Sequence, residues 1–251
     1  MSPTPIRNAK AFTLIELIGV TVVVVVLLVF IIPRPNRSHS NAPRITCVNN
    51  LKEIGLAYLV WANDHNDRFP ASDSASDGGW IESLTSADQG FRCWTNYAIM
   101  ANELGQVPKL LICPADKRKP ANTWPNFANT NLSYFVGVSA DEKHPQSQLA
   151  GDRNLGAGTK SDRNFGFSPE SGQGNDVAIQ TNSQDGPVSW SLKMHSRGNS
   201  DGAGNIMLAD GSAQQVTSVN FRANWQPPGG LTTNWPAGHI PSSPSFRVLF
   251  P

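Results

Sequence analysis

The sequence has little charge. Charged residues fill only 16% of its 251 positions, and 20 Lys and Arg nearly balance 19 Asp and Glu, for a formal net charge of +1. With no basic excess to line one face, an electrostatic nucleic-acid binder is excluded. Cysteine is scarce. Three residues cannot staple a disulfide scaffold, and their odd number leaves at least one thiol unpaired in a monomer. No two of them are spaced C-x2–4-C, which disfavours a zinc site, and no loop has EF-hand spacing with a closing Glu. Turn-formers are plentiful instead, with 21 Gly and 19 Pro. That composition points to a loop-rich globular domain and away from a coiled coil or helical bundle. Seven Trp and eleven Phe are too many for a disordered chain.

The one long apolar run lies near the N-terminus. From Phe12 to Ile32 the only charged residue is Glu16. As a helix this run would be about 32 Å long, enough for a hydrocarbon core of about 30 Å, so a membrane-spanning helix over 12–32 is expected. The β-branched stretch Val20 to Val26 would favour strand in water, but in lipid the backbone must satisfy its own hydrogen bonds and helix wins. Pro33 and Pro35 then end it. A cleaved secretory signal fits poorly, because the run is long and no small-x-small site precedes Pro33. An ordinary anchor leaves Glu16 unexplained, since a carboxylate in a bilayer is costly.

The string Ala11-Phe12-Thr13-Leu14-Ile15-Glu16-Leu17 resembles the prepilin-type cleavage and methylation motif of type IV pilins and type II secretion pseudopilins. The resemblance implies a cut between Ala11 and Phe12, methylation of the new amine on Phe12, and pairing of Glu16 with such an amine during filament assembly. Ala11 stands where the family usually has Gly. Residues 1–11 would then be a leader peptide. The implied location is the inner membrane, single-pass, with the C-terminal domain in the periplasm. The implied partners are prepilin peptidase, like subunits, other pseudopilins and the inner-membrane secretion platform. Flanking charge does not decide the orientation, because Arg7 and Lys10 on one side face Arg34, Arg37 and Arg44 on the other.

Residues 33–62 read as a linker followed by an amphipathic continuation of the N-terminal helix. Pro43 suits a first turn, and Cys47, Leu51, Ile54, Tyr58 and Trp61 form one apolar stripe at helical spacing. The phrase Cys47 to Ala57 also resembles a recurring segment of pseudopilin-like proteins related to type II secretion protein G. The expected fold is therefore α+β and pilin-like, with a long N-terminal helix packed on a small antiparallel sheet. Residues 63–251 would be its loop-rich globular domain. Within that domain, Leu110–Cys113, Leu132–Val138 and Val188–Met194 read as strands, and Tyr97–Leu104 as a short helix. Residues 154–175 read as a surface loop, and Phe246–Phe250 as a closing strand or docking segment. The strongest local signal is Asp210-Gly211 between two extended runs, a two-residue hairpin turn.

Several constellations could carry chemistry. His195 with Asp210-Gly211 resembles a His…Asp-Gly signature of pseudopilin-like proteins, here with a longer spacing. Asp210 building the turn with His195 bonded nearby outweighs a catalytic or metal site, since no nucleophile or further His stands at a diagnostic spacing. No resident cofactor is expected apart from a structural calcium, which pseudopilins often hold. Its candidate ligands are Asp152, Asp201 and Asp210. Cys93 and Cys113 are a candidate disulfide, with Cys47–Cys113 left open. The scattered Trp residues read as core, with a sugar platform as the alternative. The functional expectation is a structural subunit of a pseudopilin-like envelope filament, and not an enzyme. Two alternatives stay open: an anchored display protein binding carbohydrate or protein, and an anchored hydrolase using His195 and Asp210.

Overall fold

The computed structural model describes residues 12–31, 42–85, 92–160, 162–180, 188–196, 201–224 and 245–251. It divides into two compact units, residues 1–40 and 41–251. The expected leader peptide, Met1 to Ala11, lies outside the described residues, as do Pro33 and Pro35.

In the first unit, helix α1 spans Leu14–Ile31. Thr13 stands just ahead of it and Glu16 at its third position. The Thr13 N–H and hydroxyl donate to Glu16 Oε2 at 2.9 and 2.8 Å, and the Glu16 N–H donates back to Thr13 Oγ1 at 3.4 Å. This reciprocal arrangement is a capping box, which satisfies amides that the first turn leaves without partners. The same bonds hold the Glu16 carboxyl below its ordinary pKa. Thus Glu16 has a local role that its placement in an apolar run does not announce.

The expected membrane anchor is not supported. Among the described residues no helix is long and apolar enough to cross a membrane. Phe12 and Thr13 precede α1, and Ile32 lies outside the described residues. The helix is described over 18 residues, about 27 Å against a core of about 30 Å. The single-pass inner-membrane placement is corrected accordingly. The long pilin-like helix is corrected too. The second helix, α2, spans Ala42–Asp64 as a separate element.

In the second unit, α2 buries Cys47, Leu51, Ile54, Tyr58 and Trp61, the stripe read from the sequence, with Ala57 and Ala62 beside it. Two short helices follow, α3 at Ile81–Thr85 and α4 at Cys93–Ile99. Among the described residues there are eight strands: β1 (Tyr134–Gly137), β2 (Gln148–Asp152), β3 (Leu155–Ala157), β4 (Asn175–Gln180), β5 (Val188–Trp190), β6 (Ala203–Leu208), β7 (Ala213–Thr217) and β8 (Ser245–Phe250). A last helix, α5, covers Ser218–Asn224. Six strands form one sheet in the order β4-β8-β1-β2-β6-β7, and β3 pairs with β5 in a second. Every pairing is antiparallel. The α+β class with an antiparallel sheet is therefore as expected.

Strands β1, β2 and β6 are buried along their whole length. Such strands read as continuous runs, not as alternating ones, because neither face meets water. Helix α2 packs on β6 and β7, and α4 on β1. At the first contact two glycines let backbone approach backbone. A Cβ on Gly55 would stand 2.8 Å from Met207 Sδ and 3.1 Å from Gly211 Cα, and one on Gly211 would stand 2.9 Å from Leu59 Cδ1.

Some local expectations change. The β6–β7 turn closes with the Gly211 N–H on the Leu208 carbonyl and the Leu208 N–H on the Ser212 carbonyl, both at 2.9 Å. It is a three-residue loop in which Gly211 takes φ 79° while Asp210 keeps an ordinary φ. Such a turn with a bulge follows strand twist as well as the two-residue form does. Leu110 and Leu111 lie in a 3-10 turn over Pro108–Leu111, because Pro108 presets its first position. The 154–175 segment holds β3 and buried Phe165, whose ring lies 3.6 Å under the Arg153 guanidinium. β8 closes the sheet from its interior, between β4 and β1.

Candidate functional site

Four chemically distinctive side chains meet at one end of α2. Each comes from a different element. Cys47 lies on the buried stripe of α2. Cys113 follows the Pro108–Leu111 turn, where Pro114 begins a tight loop closed by the Asp116 N–H on the Cys113 carbonyl at 2.9 Å. Asn50 of α2 donates to the Ile112 carbonyl at 3.1 Å and ties that loop to the helix. Asp152 ends β2, opposite Tyr134 of β1. His195 lies in the turn after β5. Asn154 holds that turn by donating to the carbonyls of Ser191 and Lys193 at 3.3 and 3.1 Å. Arg44 donates to the His195 carbonyl. Met194 has φ 56°, a left-handed conformation that an unbranched non-Gly residue adopts only when its surroundings impose it. That twist immediately precedes His195.

The donor atoms of Cys47, Cys113, Asp152 and His195 all lie within 4.8 Å of one another. His195 Nε2 stands 3.1 Å from Cys113 Sγ and 3.5 Å from Asp152 Oδ2. The Cys47 thiol donates to Asp152 Oδ1 at 3.0 Å and lies 3.3 Å from the Tyr134 hydroxyl. The two cysteines and Asp152 are wholly buried, and His195 is 5% exposed. Asp152 Oδ2 also accepts from the N–H and side-chain amide of Asn205 at 2.7 and 3.0 Å.

The electrostatics follow from enclosure. Burial, with Cys113 and Asp152 adding to it, pushes the Cys47 thiol well up. Burial raises the Cys113 thiol as well, but its contacts with Cys47 and His195 outweigh that, and its pKa falls below the ordinary value. Burial lifts the Asp152 carboxyl above its ordinary range even with His195 beside it. Burial would lower His195, yet Asp152 and Cys113 bring it above its ordinary value. Three groups that become anionic on deprotonation surround one imidazole in a dry space.

This arrangement is not a nucleophilic triad. A triad needs the base to face its nucleophile with one ring nitrogen and its orienting carboxylate with the other. Here the same nitrogen, Nε2, faces both Cys113 and Asp152. One nitrogen, two sulfurs and a carboxylate oxygen instead converge on a common point, as the donors around a cation do.

The residues singled out in the sequence are distributed differently. His195 belongs to this cluster, but Asp210 is exposed at the hairpin tip, where its carboxylate caps the Ser212 N–H at 2.9 Å and accepts from Gln146 at 3.3 Å. The two do not meet, and a hydrolytic His195–Asp210 pair has no geometric basis. The calcium candidates do not converge either. Asp152 is buried in the cluster, while Asp201 and Asp210 flank opposite ends of β6, about 20 Å apart along the strand. The expected disulfide is corrected: Cys47, Cys93 and Cys113 are all free. Cys93 lies apart from the cluster, with its Sγ 3.3 Å from the Leu249 carbonyl, and burial raises its thiol pKa. Trp80 and Trp190 are core residues, as expected. A surface pocket lined by Asp67, Arg68, Phe69, Asp141, Glu142 and Lys143 shares no residue with the cluster.

No family model, curated protein or solved structure matches the chain. The sequence did not reveal the four-residue cluster because its members are scattered from position 47 to position 195. Only the chain's tertiary path brings them together.

Proposed function

We propose that this chain is a structural subunit of a pilin-like filament, built by lateral packing of α1 from many copies, and that it does not act as a catalyst. The observation that carries this reading is the surface of α1. Leu14, Ile15, Leu17, Ile18, Val20 and the run Val22 to Leu28 are all exposed, on every side of the helix. A helix apolar all round belongs inside an apolar environment. Each such side chain gains on the order of 1.5–3 kcal/mol on full burial, so an isolated α1 in water is strongly driven to find cover. A bundle of identical helices supplies it. Glu16, the only charge in the run, would set the register by meeting the amine that cleavage before Phe12 exposes on an adjoining copy.

Glutamine at position 16 separates this role from helix capping. A Gln side chain closes a capping box as Glu does, but it carries no charge. The full chain is co-expressed with a prepilin peptidase, and its N-terminus and assembly state are read by mass spectrometry and electron microscopy. The expected result is a chain beginning at N-methylated Phe12 that forms filaments, while Glu16→Gln is cleaved and folded but unassembled. A chain that keeps residues 1–11, a Glu16→Gln variant that assembles like the parent, or α1 held as a monomer in lipid vesicles would each overturn the proposal.

A further inference from the structure

We propose that Cys47, Cys113, Asp152 and His195 hold one zinc ion in a closed tetrahedral site that fastens α2 to the sheet. Zinc bonds to thiolate at about 2.3 Å and to imidazole or carboxylate at about 2.0–2.2 Å, which puts tetrahedral ligand pairs about 3.3–3.8 Å apart. Two pairs of one donor set lie close to that range, at 3.1 Å for Cys113 Sγ to His195 Nε2 and 3.5 Å for His195 Nε2 to Asp152 Oδ2, while Cys47 Sγ stands 3.0 Å from the other oxygen, Asp152 Oδ1. All four donors fall within 4.8 Å of one another. Small outward shifts of the sulfurs complete the tetrahedron.

The surroundings are those of a metal site. Asn205 orients the Asp152 carboxylate through two hydrogen bonds, and the Ala115 N–H points at Cys113 Sγ at 3.4 Å. The Tyr134 hydroxyl lies 3.3 Å from Cys47 Sγ and is itself 3.4 Å from the Asn50 amide. Each of these groups fixes a ligand from outside, the arrangement that raises metal affinity. Two sulfurs exclude the hard cations calcium and magnesium, which take oxygen ligands. A nitrogen and an oxygen beside the two sulfurs suit zinc. Binding displaces one proton from each thiol to solvent, so that two thiolates and one carboxylate meet the dication with a neutral imidazole. Four protein ligands in a buried shell leave no position for water or substrate, which makes the ion structural.

The test uses the full chain, reduced, stripped with a chelator and titrated with zinc and with cobalt(II). One ion per chain is expected, and the cobalt form should show intense visible bands of a tetrahedral centre together with thiolate charge-transfer absorption. Cys47→Ser and Asp152→Asn should weaken zinc binding by at least about 100-fold, beyond the range of changes outside the ligand shell. Cys93→Ser, remote from the cluster, should leave it intact. Where a ligand variant fails to fold, the cobalt spectrum of the parent chain decides. Folded, reduced parent protein that binds neither ion at micromolar concentration overturns the site. So does an octahedral cobalt spectrum without sulfur absorption, or a Cys47–Cys113 disulfide in the protein as isolated.

Discussion

Helix α1 and the Cys47–His195 cluster are opposite solutions to placing awkward groups. In α1 the apolar groups face outward along one continuous segment, and what would cover them is a copy of the same chain. In the cluster the polar groups face inward from four segments, and what would satisfy them is an ion. The first is contiguous in sequence and open in space. The second is dispersed in sequence and closed in space. A function carried by contiguity shows in a linear reading, whereas one carried by convergence appears only after folding.

The two regions can be followed by separate signals. All seven Trp residues lie beyond position 40, so Trp fluorescence reports unfolding of the second unit alone. The largest expected effect there comes from Asp116→Asn. Asp116 and Arg153 form a buried ion pair at 2.6 Å, with a second contact at 2.8 Å. Leaving the guanidinium without its partner should cost about 3–5 kcal/mol, read by urea unfolding. Burial tends to raise the Asp116 carboxyl, but Arg153 outweighs it and the pKa ends below the ordinary carboxylate value. The pair's contribution is therefore complete above about pH 4 and fades as pH falls through the folded value. The variant should lose that part of the acid dependence, and an unchanged acid limb would contradict the assignment.

A smaller effect is expected at Gly211. Alanine there must adopt φ 79° and press its Cβ against Leu59. A loss of about 2 kcal/mol follows from the left-handed backbone and the overpacking together. A melting temperature equal to the parent's would show that the hairpin does not sit tightly on α2. The smallest effect belongs to α1. Thr13→Ala removes the cap, worth about 1 kcal/mol of helix stability, and should lower helical circular dichroism without moving the Trp transition. If that transition moves as well, the two regions are coupled and the contrast between them fails.

Much of the fold was legible where a local rule decides it. The stripe from Cys47 to Trp61 is a helix with that face buried, and Asp210-Gly211 lies in the turn between paired strands. The turn is one residue longer than the dipeptide alone suggests, because only Gly211 takes the left-handed conformation. Thr13-x-x-Glu16 is a capping-box pattern equally readable in the sequence, and it accounts for the carboxylate at the start of α1 by a local rule. Of the fully buried strands, β1 lies within the run read as a strand at Leu132–Val138 and β6 within the extended run before Asp210, whereas β2 offered no alternation to detect. The four donors of the cluster had no spacing to find, since a spacing rule presumes ligands within a single turn or knuckle. The left-handed backbone of Met194 beside His195 is likewise a feature of the folded chain alone.

The place of β8 has a consequence for how the molecule comes into being on the ribosome. It follows every other described element in the order of translation, yet it separates β4 from β1. Until it emerges from the exit tunnel, β4 has no partner strand among the described residues and β1 keeps a bare edge. The nascent polypeptide therefore waits with an unfinished sheet, and the bare edge of β1 is open to mispairing with other chains during that interval.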